Sequence, residues 1–100
     1  MQPLFSLKGK HIANYLNGQL YSTSGKNIGH YLSSQQIFID MQGRYLGEII
    51  YEKRLAYKTN SQYRSTSFGS YGNYGSIGNY GNYGSIGSIS SISGYRDVEI

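Results

Sequence analysis

Apolar and polar residues alternate over short stretches of this chain, and turn-forming residues separate these stretches. No stretch repeats its apolar residues every 3.6 positions, so the pattern predicts strands rather than helices. The alternation recurs in three segments that align with one another, residues 4–16, 20–32 and 37–50. A degenerate fourth segment begins at Leu55 and fades after Ser61. The sequence therefore predicts a repeated strand pair, with a fourth repeat that is incomplete.

A glycine followed by a cation marks the middle of each complete repeat, at Gly9-Lys10, Gly25-Lys26 and Gly43-Arg44. Glycine between two strands supplies the positive φ that a tight hairpin turn needs, so each repeat reads as strand, turn, strand. The links between repeats, Asn17-Gly18 and residues 33–36 and 52–54, also favour turns. We expect an all-β domain of about eight short strands, whose repeated hairpins curl into a small, shallow barrel-like domain and hide their edges.

Simple alternation divides the second strand of each repeat between two faces. One face carries a recurring polar residue between two apolar ones: Ile12, Asn14 and Leu16, then Ile28, His30 and Leu32, then Leu46, Glu48 and Ile50. The other face carries a recurring small residue, Ala13, Gly29 or Gly47, which predicts the close approach of another backbone. In a closed arrangement Asn14, His30 and Glu48 form a central polar ring for a ligand, with His30 as its pH-sensitive member. The alternative interpretation of these polar positions is a solvated face.

Residues 4–64 resemble the four-fold β-flower family. The resemblance rests on the turn glycine with its cation and on the Ile/Leu-Gly step three residues later, at Ile28-Gly29 and Leu46-Gly47, with Ala13 replacing glycine in the first repeat. It implies a flower-like, rotationally symmetric all-β fold of repeated hairpins, and the fourth repeat departs from the pattern. Members of this family are largely uncharacterised. Flower-like folds are similar in outline to tubby-type domains, which bind phosphoinositide lipids.

The composition changes abruptly from residue 69, and we divide the chain into a β-hairpin repeat domain, residues 1–64, and a low-complexity tail, residues 65–100. Seven triplets that begin with glycine fill residues 69–89, and every third residue is large. Two interpretations of the tail are open. Either the tail is disordered, or it forms an extended helix of three residues per turn. In the second case its large side chains form a stripe that contacts the β-domain. The stripe would comprise Phe68, Tyr71, Tyr74, Ile77, Tyr80, Tyr83, Ile86 and Ile89.

The net charge of +4 belongs to the β-domain, since residues 1–64 carry eight cations and three acids. Four of these cations flank the hairpin turns: Lys8, Lys10, Lys26 and Arg44. In a closed arrangement they share one rim, which predicts an anion-binding rim for lipid headgroups or another polyanion. Ordinary solubilising charge is the alternative interpretation.

The chain contains few residues that could form a catalytic site. It has no cysteine, no phosphate-loop or dinucleotide signature, and few acids without metal-ligand spacing. His11 and His30 occupy different repeat positions, so symmetry does not bring them together. We expect neither an enzyme nor a cofactor or metal. The sequence encodes no signal peptide and no membrane span, and a cytoplasmic protein is expected, membrane-peripheral where the rim binds lipid.

Three functions remain open at this point. The first is a non-catalytic binding or scaffold module, with an anionic membrane surface or another protein as its partner. The second is a peripheral binder of anionic phospholipid headgroups through the basic rim. The third is a structural protein that self-associates through its tyrosine-rich and glycine-rich tail. Nucleic-acid binding is not expected, because no recognised nucleic-acid-binding motif supports it.

Overall fold

The structure is a computed structural model that describes residues 1–70, 72–73, 75–78, 84–89 and 92–100. These residues form eight β-strands and no helix. The strands are β1 (Gln2–Phe5), β2 (His11–Leu16), β3 (Gln19–Ser22), β4 (Asn27–Leu32), β5 (Ile37–Asp40), β6 (Tyr45–Ile50), β7 (Arg54–Lys58) and β8 (Tyr95–Asp97).

The first seven strands form an antiparallel meander that closes into a barrel. Each strand pairs with the next in chain order, and β1 meets β7 in parallel at Phe5 and Arg54, which closes the sheet. The turns within the three hairpins lie at one edge of the meander, because successive antiparallel strands reverse direction. The prediction of an all-β fold made of curled hairpin repeats is confirmed.

The same bulge occurs in the second strand of each of these hairpins. In the first hairpin Phe5 pairs with His11 and Leu4 pairs with Ala13, so Ile12 is an extra residue in β2. The equivalent extra residues are Ile28 in β4 and Leu46 in β6. A bulge re-aims side chains, and all three of these apolar residues pack against the core. The prediction that they share a face with the polar positions of the second strands is wrong, because alternation breaks at the bulge.

The core receives one fully buried side chain from the first strand of each repeat: Leu4, Leu20, Phe38 and Leu55. Tyr15 and Tyr31 pack edge to face with one another, at 5.7 Å between ring centroids, and both contact the ring of Phe38. Such tilted aromatic contacts stabilise a core beyond the area that they bury. The four repeats therefore share one core, although their sequences differ.

The small residues of the second strands mark close backbone contacts, as the sequence predicts. A Cβ atom on Gly47 would lie 2.8 Å from the carbonyl oxygen of Ala56 in the next strand. A Cβ atom on Gly29 would overlap the carbonyl oxygen of Ile39. Neither position has room for a side chain, because backbone from the neighbouring strand occupies that space.

The fourth repeat takes its two strands from distant parts of the chain. It begins a turn like the others, since Ser61 N donates to Lys58 O at 3.1 Å, but Ser61 stands where the other turns have glycine. The chain then leaves the barrel and returns as β8, which pairs antiparallel with β7. A hydrogen bond of 2.8 Å from Thr59 N to Gly94 O joins the two ends of this excursion. We call the described residues of segment 65–94 the belt.

The belt contacts each of the three hairpin turns through a backbone hydrogen bond. Phe68 N donates to Gly43 O at 2.9 Å, Ile77 N to Gly25 O at 3.0 Å and Ile86 N to Gly9 O at 2.9 Å. A Cβ atom on any of these turn glycines would overlap a belt carbonyl oxygen, that of Gly69, Gly78 or Ile86 respectively. The turn glycines therefore allow a positive φ and also leave their Cα surface open to the belt.

The contacting residues of the belt are spaced nine residues apart, at Phe68, Ile77 and Ile86, and β8 begins nine residues further on at Tyr95. The protein is a flat body of 35 × 33 × 20 Å. Nine residues reach at most roughly 32 Å, and a quarter of the perimeter of a disc of this width is roughly 27 Å. Each step of the belt thus has the length needed to pass from one hairpin turn to the next.

The belt does not form one continuous helix of three residues per turn. Gly69, Gly75, Gly78 and Gly84 all have positive φ, between +74° and +88°. Such a helix of the polyproline II type needs a φ near −75° throughout. The prediction of this helix is therefore wrong at these four glycines.

Arg54 connects three parts of the structure at the point where the barrel closes. Its guanidinium group is buried and donates to Ser6 O at 3.0 Å, to Leu7 O at 3.2 Å and to Gly87 O in the belt. Leu7 N in turn donates to the Asp97 carboxylate of β8 at 2.8 Å. Five fixed donors suit arginine to such a cluster of carbonyl groups. The first hairpin turn, β7, β8 and the belt are thereby held together.

We predict that Gly25→Ala destabilises the protein more than Gly18→Ala. Both residues have positive φ, +95° and +81°, so each alanine adds strain of about 1–2 kcal/mol. Only at Gly25 does the new Cβ atom meet the belt, whereas nothing lies within 4 Å at Gly18. We expect Gly25→Ala to lower the free energy of unfolding in urea by about 1 kcal/mol beyond the control, through loss of the Ile77 hydrogen bond. Equal losses for the two variants would show that the belt contact adds nothing.

Candidate functional site

The three hairpin turns hold their cations in equivalent positions. The side chain at the start of each turn accepts a hydrogen bond from the backbone N–H of the cation four residues later: Ser6 from Lys10 at 3.1 Å, Ser22 from Lys26 at 3.1 Å, and Asp40 from Arg44 at 3.0 Å. Side-chain bonds of this kind fix the local turn. The sequence repeat thus places one cation per hairpin at the same point of the rim.

The predicted rim cations Lys8, Lys10, Lys26 and Arg44 are all exposed. Arg44 forms an ion pair with Asp40, with 3.2 Å between Nε and Oδ2. The three lysines form no ion pair with any residue that the structure describes. Residues 65–95 include no acid, so the belt that borders these cations adds no negative charge. The rim therefore presents three free lysine charges and one that is partly neutralised.

The three residues of the predicted polar ring have different surroundings. Asn14 and His30 are buried, with exposed fractions of 0% and 3%, whereas Glu48 is partly exposed. Each lies three residues after another polar side chain of its strand, across the bulge. His11 Nε2 lies 2.8 Å from the Asn14 amide oxygen, and the Tyr45 hydroxyl donates to Glu48 Oε2 at 2.9 Å. The structure thus gives only Glu48 access to solvent.

Asn27 occupies the corresponding position before His30. Its amide donates to two backbone carbonyl groups, those of Leu20 at 3.1 Å and Gly29 at 3.3 Å. These bonds cross the bulge in β4 and satisfy buried carbonyl groups that the irregular pairing affects. Asn27 therefore supports the sheet rather than a ligand site.

The tail contact stripe lies only partly within the described residues. Phe68, Ile77, Ile86 and Ile89 are each partly buried, and Ile89 N donates to Leu7 O at 2.9 Å beside the first turn. Phe68 also packs against Tyr63, with 5.9 Å between their ring centroids. The remaining predicted members, Tyr71, Tyr74, Tyr80 and Tyr83, lie outside the described residues.

Sequence reasoning missed two features of this rim. One is Arg54, which the alignment of repeats places in a linking turn. The other is the nine-residue period, which the sequence does carry. Residues 69–77 read GSYGNYGSI and residues 78–86 read GNYGNYGSI, so isoleucine replaces tyrosine at every third triplet. Those isoleucines, Ile77 and Ile86, are the residues whose N–H groups bind the turn glycines.

Two kinds of feature are absent from the described residues. They contain no cluster of three His, Asp or Glu side chains with the geometry to hold a metal ion. None of them belongs to a helix with the length and apolarity needed to cross a membrane. Comparison with known proteins identifies none that is similar, because no family model, curated protein or solved structure matches the chain significantly. Function must therefore be inferred from the geometry of this chain.

We predict that His30 makes the stability of the protein depend on pH. Burial lowers the pKa of His30 below its usual value of 6.5. The unfolded chain then takes up a proton near pH 6.5 that the folded chain does not, so stability is full above that pH and falls below it. We expect the free energy of unfolding to drop between about pH 7.5 and about pH 5, and to drop less in His30→Asn, which copies the residue of the first repeat. An identical drop in both proteins, measured by urea unfolding, would contradict this.

Proposed function

We propose that this protein is a non-catalytic binding module whose basic rim contacts anionic phospholipid headgroups. The observation that carries the proposal is the equivalent placement of cations on three hairpin turns that share one edge of the barrel. Lys8, Lys10 and Lys26 are exposed there beside a belt without charge. Each lysine near an anionic membrane contributes about 1 kcal/mol to binding. The contact would be peripheral, reversible and weakened by salt.

Arg44 has a smaller part in this proposal than the lysines. Its ion pair with Asp40 places a negative charge within 3.2 Å, so a lipid phosphate gains less from Arg44 than from an unpaired lysine. The ion pair supports this ranking, whereas the sequence alone treats the four rim cations alike.

We also propose that the chain is a divergent member of the four-fold β-flower family. The closed barrel of hairpin repeats, the recurring bulge and the four-part core support this assignment. The fourth repeat differs, because the belt lies between its two strands where the other repeats have a short turn. Self-association through the tail stays an alternative hypothesis, and sedimentation of the protein without vesicles tests it.

The lipid proposal predicts a specific order among charge-neutralising variants. We expect Lys10→Gln and Lys26→Gln each to weaken binding to anionic vesicles about fivefold, and Arg44→Gln to weaken it less. Lys53→Gln is the matched control, because Lys53 is equally exposed but lies on a loop between repeats. The measurement is co-sedimentation with vesicles of neutral lipid alone or with anionic lipid, at low and high salt. Binding that ignores salt, or that Lys53→Gln weakens as much as Lys26→Gln does, would overturn the proposal.

A further inference from the structure

One polar position of the second strands opens to solvent because its neighbour across the sheet is small. Asn14 pairs with Tyr21 and His30 pairs with Ile39, and both of these large partners are buried. Glu48 instead pairs with Ala56 in the fourth repeat. A methyl group covers far less of a neighbouring side chain than a tyrosine or isoleucine does. Glu48 is therefore covered less by its cross-strand partner than Asn14 and His30 are.

A cleft of about 450 Å³ occupies this place, between β6, the end of β7 and the first residues beyond it. Polar side chains dominate its lining, which includes Gln35, Glu48, Lys58, Asn60, Gln62 and Tyr63. The cleft exists where the fourth repeat departs from the others, because the chain turns away after Ser61 instead of closing a glycine turn.

The Glu48 carboxylate is held in a fixed orientation at this cleft. The buried Tyr45 hydroxyl donates to Glu48 Oε2 at 2.9 Å and accepts a hydrogen bond from Lys58 N at 3.1 Å. Burial raises the pKa of Tyr45 well above its usual range, with the Glu48 carboxylate adding to the effect, so the hydroxyl stays a donor. Within the described residues Glu48 Oε1 makes no hydrogen bond. One carboxylate oxygen is thus fixed and the other remains available.

The chemistry of the lining matches a neutral molecule with several hydroxyl groups. The primary amides of Asn60 and Gln62 can each donate and accept, as hydroxyl groups require of their partners. The Gln35 amide can donate, while its oxygen accepts a hydrogen bond from Ser34 Oγ at 2.7 Å. Glu48 and Lys58 carry opposite charges, so the cleft has no net charge to favour an ion. Tyr63, held against Phe68, adds aromatic surface for the apolar face of a sugar ring. We propose that this cleft binds a mono- or disaccharide.

This proposal stands apart from lipid binding, because none of its residues belongs to the basic rim. The test is a titration of the full ¹⁵N-labelled protein with glucose, galactose, mannose and N-acetylglucosamine, followed by amide chemical shifts. At least one sugar is expected to give saturable shifts at Glu48 and residues 58–63, with millimolar affinity. Glu48→Gln is expected to weaken that affinity about tenfold, because it removes the charged acceptor but keeps the shape of the side chain.

Asn60→Ala and Gln42→Ala form a matched pair, since both residues are exposed amides and only Asn60 lines the cleft. We expect Asn60→Ala to weaken sugar binding several-fold and Gln42→Ala to leave it unchanged. No saturable shift with any of the four sugars, or equal effects of the two alanine variants, would overturn the proposal. Shifts at the cleft with free glycine but with no sugar would also overturn it, since they would indicate a zwitterion site.

Discussion

The architecture depends on a contact between two stretches of backbone, the belt and the bare Cα atoms of Gly9, Gly25 and Gly43. A belt carbonyl group rests where a side chain would stand, and a belt N–H group binds the carbonyl of the same glycine. Such a contact needs glycine for space and for positive φ at the same residue. Because the contact repeats at every hairpin, one glycine-rich segment contacts all three turns.

The segment after Ser61 also covers part of a sheet edge that repeated hairpins would leave exposed. Three hairpins and a lone β7 would leave strand edges exposed, and exposed edges favour pairing with other chains. The excursion after Ser61 carries the chain to β8, which covers the outer part of β7, while Phe5 pairs with Arg54 at its start. Arg54 then ties the first turn and the belt to this junction. Closure thus depends on residues far apart in the sequence, since the hydrogen bonds of Arg54 span 48 positions to Ser6 and 33 positions to Gly87. The same break in symmetry opens the cleft at Glu48.

The hairpins could be predicted because their determinants are local. Glycine before a cation marks each turn, and small residues such as Gly47 mark the close strand contacts. The bulges at Ile12, Ile28 and Leu46 could not be predicted, because one extra residue does not change a short alternating pattern in a recognisable way. The roles of Arg54 and Ala56 depend on which strands become neighbours when the barrel closes. The contacts of the belt could not be predicted for a different reason. Its sequence shows a period of nine residues, but which hairpin turn each ninth residue contacts depends on how the barrel closes.

Hydrogen exchange of the Phe68, Ile77 and Ile86 amides in the native protein tests the account most directly. Each N–H group is bonded to a turn glycine, so we expect all three to exchange at least about a hundredfold more slowly than in an unstructured chain. We expect them to be protected together, since one belt follows one rim. Exchange of all three at the unstructured rate would show that the belt does not hold the turns, and would contradict the closure described above.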